Sequence, residues 1–347
     1  MNVRTRAILT TILCCTPLYS VKAETPLFPS DPSAASRLEV NLKVNLKKLM
    51  SSAEAEEAGE FQLMDGSTNP IFSVKVSPRG KSRQERCAFF PLWLNFKRSE
   101  VKDTLLKDQN KLKLVTHCRG SYSKRGYVAA EMLVYRLLNL IDERSFRVRA
   151  VRMTYTNTHN QKEMTHPAFL IEHKKSLSAR LAGTPYTEGK VRLSNVDSSY
   201  ATRIALFQYM IGNTDFSLVQ GPDPAECCHN TVPLKVGDRD QLRVVSIPYD
   251  FDVTGFVNVP YATPPANLPI KRLSQRLFRG YCAHNDMLKA EIERILGLET
   301  KILETIENFT DLENRDAKKQ LRYATAFFKT LKDPRQQQRA LMNKCRS

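Results

Sequence analysis

EMLVYRLLNLIDERSFRVRAVRMTY, residues 131–155, changes its hydrophobic period midway. Over residues 126–141, Tyr127, Val134, Leu138 and Ile141 recur at helical spacing and form one apolar stripe. Over residues 146–155, Val and Met alternate with Arg, the period of a strand with one wet face. Outward from here the same reading gives strands at 71–76, at 91–96 around Trp93 and at 112–115, with 169–172 continuing the sheet-rich half. Residues 199–211 read as a helix stopped by Gly212, and 244–247 as a short buried strand. Beyond Ile270 the chain reads as helical, most clearly over 311–331. Strands first and helices later imply an α+β fold. Residues 24–64 read as a polar, flexible lead-in, with compact structure beginning near Ile71.

The first 23 residues have the pattern of a secretory signal peptide. Arg4 and Arg6 precede an apolar run from Ala7 to about Tyr19, and Val21-Lys22-Ala23 forms a cleavage site. The run is too short for a retained membrane anchor. Leu13 before Cys14 disfavours a lipoprotein. No later stretch is long enough to span a bilayer, so an exported, periplasmic or extracellular protein is expected. Removing residues 1–23 takes away Arg4, Arg6 and Lys22 and lowers the formal charge from +17 to +14. That balance suits an anionic partner, such as a nucleotide, phosphorylated sugar, nucleic acid or cell-surface polymer, and equally suits simple solubility. Cys87, Cys118, Cys227, Cys228, Cys282 and Cys345 imply disulfides. The absence of a CxxC pattern argues against structural zinc, and neighbouring Cys227 and Cys228 are expected to bond elsewhere.

Four features carry candidate chemistry. Glu131 lies within the apolar stripe of its helix, where a carboxylate needs a partner. Lys113 is the expected one and Lys111 its rival; a stripe-edge position reaching water is the bland alternative. Asp215, in Ile211-Gly212-Asn213-Thr214-Asp215-Phe216, lies on a loop held by a helix end, which suits a catalytic base or an ordinary cap. Asn230, in Cys228-His229-Asn230, offers a neutral oxygen ligand. Asp250 and Asp252, in Pro248-Tyr249-Asp250-Phe251-Asp252, follow an apolar strand and would point the same way if the extended backbone continued. Such hard oxygen ligands suit magnesium or manganese, and a turn held by Asp252 is the alternative. Together these groups match the needs of phosphoryl transfer: a lysine on the phosphates, a glutamate holding it, an aspartate for the hydroxyl proton, and Asn and Asp for the metal.

The stretches Arg79-Gly80, KLKLVTHC (111–118), 131–155, FLIEHK (169–174), IGNTDF (211–216), HN (229–230) and PYDFD (248–252) resemble, in order, the atypical protein-kinase-like family of spore-coat protein H and, more distantly, HipA-type kinases. The resemblance covers about 200 residues. It implies a protein-kinase-like domain over 65–347, with a strand-rich N-terminal lobe at about 65–172 and a mainly helical C-terminal lobe at about 173–347. It implies that Lys113 contacts nucleotide phosphates with Glu131 paired to it, that Asp215 is catalytic, and that Asn230 and Asp250 bind Mg2+ or Mn2+ with Asp252 in support. Glu172 would lie near the adenine of ATP, the phosphoryl donor. In place of a full glycine-rich loop stands only Gly80, flanked by Arg79, Lys81 and Arg83. Asp215 and Asn230, 15 positions apart, must be brought together by the intervening chain folding back, with a disulfide from Cys227 or Cys228 to Cys282 as the expected brace. The implied activity is ATP-dependent phosphotransfer to an exported protein or an anionic envelope component. A secreted metal-dependent phosphoesterase and a catalytically inactive, basic envelope-assembly protein are the alternatives.

Overall fold

The computed structural model describes residues 26–31, 36–64, 66, 68–119, 126–223, 227–237 and 242–347. The expected signal peptide at residues 1–23 lies outside them. In chain order the strands are β1 (Leu38–Val44), β2 (Glu57–Leu63), β3 (Ile71–Pro78), β4 (Leu92–Phe96), β5 (Lys111–Val115), β6 (Val148–Asn157), β7 (Glu163–Ile171), β8 (Thr184–Pro185), β9 (Thr231–Val236) and β10 (Arg243–Pro248). The helices are α1 (Leu46–Leu49), α2 (Lys81–Arg86), α3 (Arg98–Val101), α4 (Tyr127–Ile141), α5 (Lys174–Arg180), α6 (Ser198–Ile211), α7 (Asn285–Leu296), α8 (Glu299–Glu307), α9 (Asn314–Lys332) and α10 (Pro334–Ala340).

Strands β1 to β7 close into a barrel in the order β1-β2-β3-β4-β5-β7-β6. Its neighbours are antiparallel except at the seam, where β1 runs parallel to β6 with Leu38 opposite Val151 and Val44 opposite Asn157. Alternation supplies the filling. Val40, Leu42 and Val44, Phe72, Val74 and Val76, and Leu92, Leu94 and Phe96 are buried in one cluster, together with Val151, Met153 and Tyr155. Closure pairs both edges of the sheet, which would otherwise present unpaired backbone groups.

This overturns the expectation of a protein-kinase-like α+β fold with two lobes. The molecule is a closed, mixed seven-strand barrel joined to a helical region, and a closed barrel is not a protein-kinase-like bilobal fold. The deciding strands, β1 and β2, lie inside the stretch read as a flexible lead-in, so compact structure starts well before Ile71.

Helix α4 covers the outside of the barrel, and its apolar side joins Val115, Ala150, Phe169 and Ile171 in a second core shared with α6 to α9. Asp197 caps α6 by accepting from the Tyr200 amide, and every residue from Tyr200 to Ile211 is buried. Gly212 ends the helix at φ +64°, as its position implied, and a Cβ there would meet Tyr323 Oη at 2.1 Å. A small antiparallel sheet, β8-β9-β10, flanks α6.

The cysteines pair as Cys87–Cys118, Cys227–Cys228 and Cys282–Cys345. The expected brace from Cys227 or Cys228 to Cys282 is thus replaced by a bond between the neighbours themselves. No helix among the described residues is long and apolar enough to cross a membrane. Three disulfides and the lack of such a helix fit an exported protein.

Candidate functional site

Hairpin geometry explains how distant residues meet. In β9 and β10, Thr231 lies opposite Pro248, and the Tyr249 amide donates to the Asn230 carbonyl at 2.9 Å. Asn230 just before β9 and Asp250 just after β10 therefore share one end of the sheet. The loop after α6 is stitched to the same place, because Ser217 and His229 exchange backbone hydrogen bonds, each at 3.0 Å. The return from Asp215 to Asn230 is thus held by a two-residue bridge rather than by the expected disulfide.

Asp215 is the node of this end. Its Oδ1 lies 2.8 Å from His229 Nε2, while Asn230 Nδ2 donates to its backbone carbonyl at 2.8 Å and to Oδ2 at 3.1 Å. The Asp215 side chain remains 40% exposed. Its carboxylate raises the His229 pKa above that of ordinary imidazole, against a smaller opposing effect of burial. Cys228, Asn230 and Asp250 all have left-handed backbone, at φ 75°, 51° and 66°. Asn and Asp tolerate that conformation better than other side chains, and strain of this kind concentrates at functional sites.

The left-handed backbone at Asp250 ends the extended run of β10, yet the two acids stay within electrostatic reach: after burial, Asp252 is the largest influence raising the Asp250 pKa. Asp252 is buried and accepts from Arg83 Nε at 3.0 Å and Tyr261 Oη at 2.8 Å. The other side of the Arg83 guanidinium meets Glu131 Oε2 at 2.7 Å. Glu131 does face the interior, but its partner is Arg83 and not Lys113. Burial pushes the Glu131 carboxyl up, with Arg83 pulling the other way and the nearby Asp252 and Asp250 adding to the rise.

Lys113 is left without a carboxylate. It lies on the outer face of β5, beside Trp93 of β4, and is only 9% exposed. Its Nζ is 4.7 Å from the ring centre of Tyr249 and 5.7 Å from those of both Trp93 and Phe146. Arg79 lies over Trp93 as well, at 5.4 Å. Desolvation first, and Arg79 second, lower the Lys113 pKa from 10.5 to about 7, with Asp250 resisting. Among the described residues, neither Arg79, Lys113 nor the Asp250 carboxylate takes part in an ion pair. The Asp250 amide is anchored to Tyr135 Oη at 3.0 Å. Two half-buried or buried cations that make no direct ion pair and share only the electrostatic influence of Asp250 form a ready receptor for an anion.

The remaining candidates have structural partners. Gly80 provides the φ of +79° needed at the start of α2, whose Arg83 reaches the Glu131–Asp252 pair; nothing lies within 4 Å of where its Cβ would be. Glu172 is buried and bound by Arg180 Nε at 3.0 Å, Arg180 Nη2 at 2.9 Å and the Arg147 amide at 3.2 Å, so its carboxylate is occupied. Sequence reasoning missed the roles of Arg83, His229, Trp93 and Tyr249. Only His229 carried a local signal, its position beside Asn230.

Asn230, Asp250 and Asp252 do not fit a divalent cation equally. Asp252 is committed to Arg83 and Tyr261. Asp250 has a carboxylate without an ion-pair partner, and Asn230 uses its amide nitrogen on Asp215, leaving Oδ1 as its remaining acceptor. Among the described residues no three His, Cys, Asp or Glu side chains cluster as metal ligands. Two protein oxygens suit magnesium or manganese whose other positions are filled by phosphate oxygens and water. No protein-family model matches the chain, and no curated protein matches it.

Proposed function

We propose that the site transfers a phosphoryl group from a nucleoside triphosphate such as ATP to a hydroxyl on an exported protein or envelope component, in the periplasm or outside the cell. The observation that carries this reading is the convergence of unpaired Arg79 and Lys113 with Asp250 and the Asp215–Asn230 pair. Arg79 and Lys113 neutralise the phosphates. Asn230 and Asp250 hold the accompanying Mg2+ or Mn2+, which supplies further neutralisation of phosphate charge. The acceptor oxygen bonds to the terminal phosphorus, its proton passes to Asp215, and the bond to the bridging oxygen breaks, with its electron pair leaving on the nucleoside diphosphate. The resemblance of the motif order to that of the spore-coat protein H family is in keeping with this chemistry.

Asp215→Ala is expected to abolish labelling of an acceptor by γ-labelled ATP while leaving ATP binding within about threefold of normal. Unchanged turnover in that variant would remove Asp215 from the mechanism. The exposure of Asp215 and His229 favours one rival, a phosphoesterase that activates water. Steady release of inorganic phosphate from many phosphate esters, with no labelled acceptor and no nucleotide preference, would select it.

A further inference from the structure

A second concentration of positive charge lies beside Asp215, in a cavity of about 350 Å³ that the phosphate-binding groups do not line. Asp215 and His229 form part of its wall, and Arg279 and Arg346 form another part. Arg279 sits over Phe216 at 5.9 Å, and its Nε is buried without a hydrogen-bond partner. Arg346 sits over Tyr281 at 5.6 Å. Its backbone is fixed: the amide donates to the Gly280 carbonyl at 2.8 Å, and its carbonyl accepts from the Cys282 amide at 2.9 Å. The Cys282–Cys345 disulfide fastens this segment next to Arg279. Among the described residues neither guanidinium is ion-paired; burial first, and Arg346 second, lower the Arg279 pKa, with Tyr281 and Asp215 resisting. Holding two like charges together across a cavity, one with a buried unsatisfied N–H, is unfavourable unless an anion joins them.

We propose that this cavity receives the acceptor, and that the acceptor carries a carboxylate or phosphate next to the hydroxyl it presents to Asp215. The proposal rests on the phosphotransfer reading for the word acceptor. The anion site itself is independent of it. Arg279 and Arg346 grip the anionic group, and the hydroxyl is thereby directed to the Asp215–His229 wall.

Binding of glycerate, glycerol 3-phosphate and glycerol to the full chain, without nucleotide, tests it by calorimetry or ligand-detected NMR. One or both anions are expected to bind about tenfold or more tightly than glycerol, and Arg279→Ala and Arg346→Ala each to remove that advantage. Whichever anion binds more tightly identifies the group as carboxylate or phosphate. Lys113→Met, at a residue that does not line this cavity, should leave the preference intact. Arg279→Lys and a thermal melt guard against misreading a folding defect. Equal binding of all three probes, a preference that survives both arginine variants, or one lost in Lys113→Met would overturn the proposal. Failure of phosphotransfer alone would leave the anion preference standing, so the two ideas fail separately.

Discussion

Lys113→Met should make the protein more stable and abolish binding of a nucleoside triphosphate. The fall of the Lys113 pKa from 10.5 to about 7 corresponds to roughly 5 kcal/mol of native-state penalty for the charged form. Relaxation and water entry reduce the recoverable part to about 2–5 kcal/mol. Met keeps the aliphatic stem against Trp93, Phe146 and Tyr249 and removes the desolvated charge. The sign with pH follows from proton linkage. Below about pH 7 both folded and unfolded chains hold the proton, so the full penalty is present. Between about 7 and 10.5 only the unfolded chain holds it, so the native lysine form gains stability as pH rises. The advantage of the variant is therefore greatest at pH 6–7 and fades toward pH 10. Thermal denaturation of both proteins at pH 6, 8 and 10 should show a Tm gain of about 5–10 °C at pH 6 that shrinks with pH. Titration with a non-hydrolysable ATP analogue should show binding to the native protein and little to the variant. A variant that is less stable at pH 6, or whose gain is the same at all three pH values, would refute the claim that Lys113 is a buried, unpaired cation.

Arg83→Met has the opposite consequence, because it strands Glu131 and Asp252 face to face in the interior. A loss of about 3–5 kcal/mol is expected at pH 8 in urea titrations. The loss should be smaller at pH 5, since unpaired buried carboxyls have raised pKa values and regain stability as they protonate; equal losses at both pH values would count against the paired assignment. Replacing both Cys87 and Cys118 by Ala opens a loop of sequence separation 31 and should lower stability by about 3–4 kcal/mol. A non-reducing peptide map should recover Cys87–Cys118 and Cys282–Cys345, and a Cys227–Cys282 peptide would contradict the structure.

Much of the local structure was legible because it depends on near-neighbour chemistry. The change of period within 131–155 marks α4 and β6, and Gly212 marks the end of α6, since a left-handed residue there requires glycine next to Tyr323. The candidate acids and amides were legible as residue types, but their partners were not. Glu131 needed a cation, and two lysines at the right parity hid the arginine 48 positions away that takes the role. Alternation past β10 suggested an extended backbone through Asp250 and Asp252, but the backbone at Asp250 is left-handed, and Arg83 and Tyr261 bind Asp252 from distant parts of the chain.

The sequence by itself determined where the chain can be helix or strand and which groups are available for chemistry, because side-chain periodicity and backbone preference act over a few residues. Only the tertiary structure decided that β1 lies along β6 and closes a barrel, since that pairing joins segments more than a hundred residues apart. The same long-range packing decided which buried charges are matched and which are left open. Local pattern carries no record of what lies across the fold, and electrostatic energy in a desolvated interior depends on that neighbour above all.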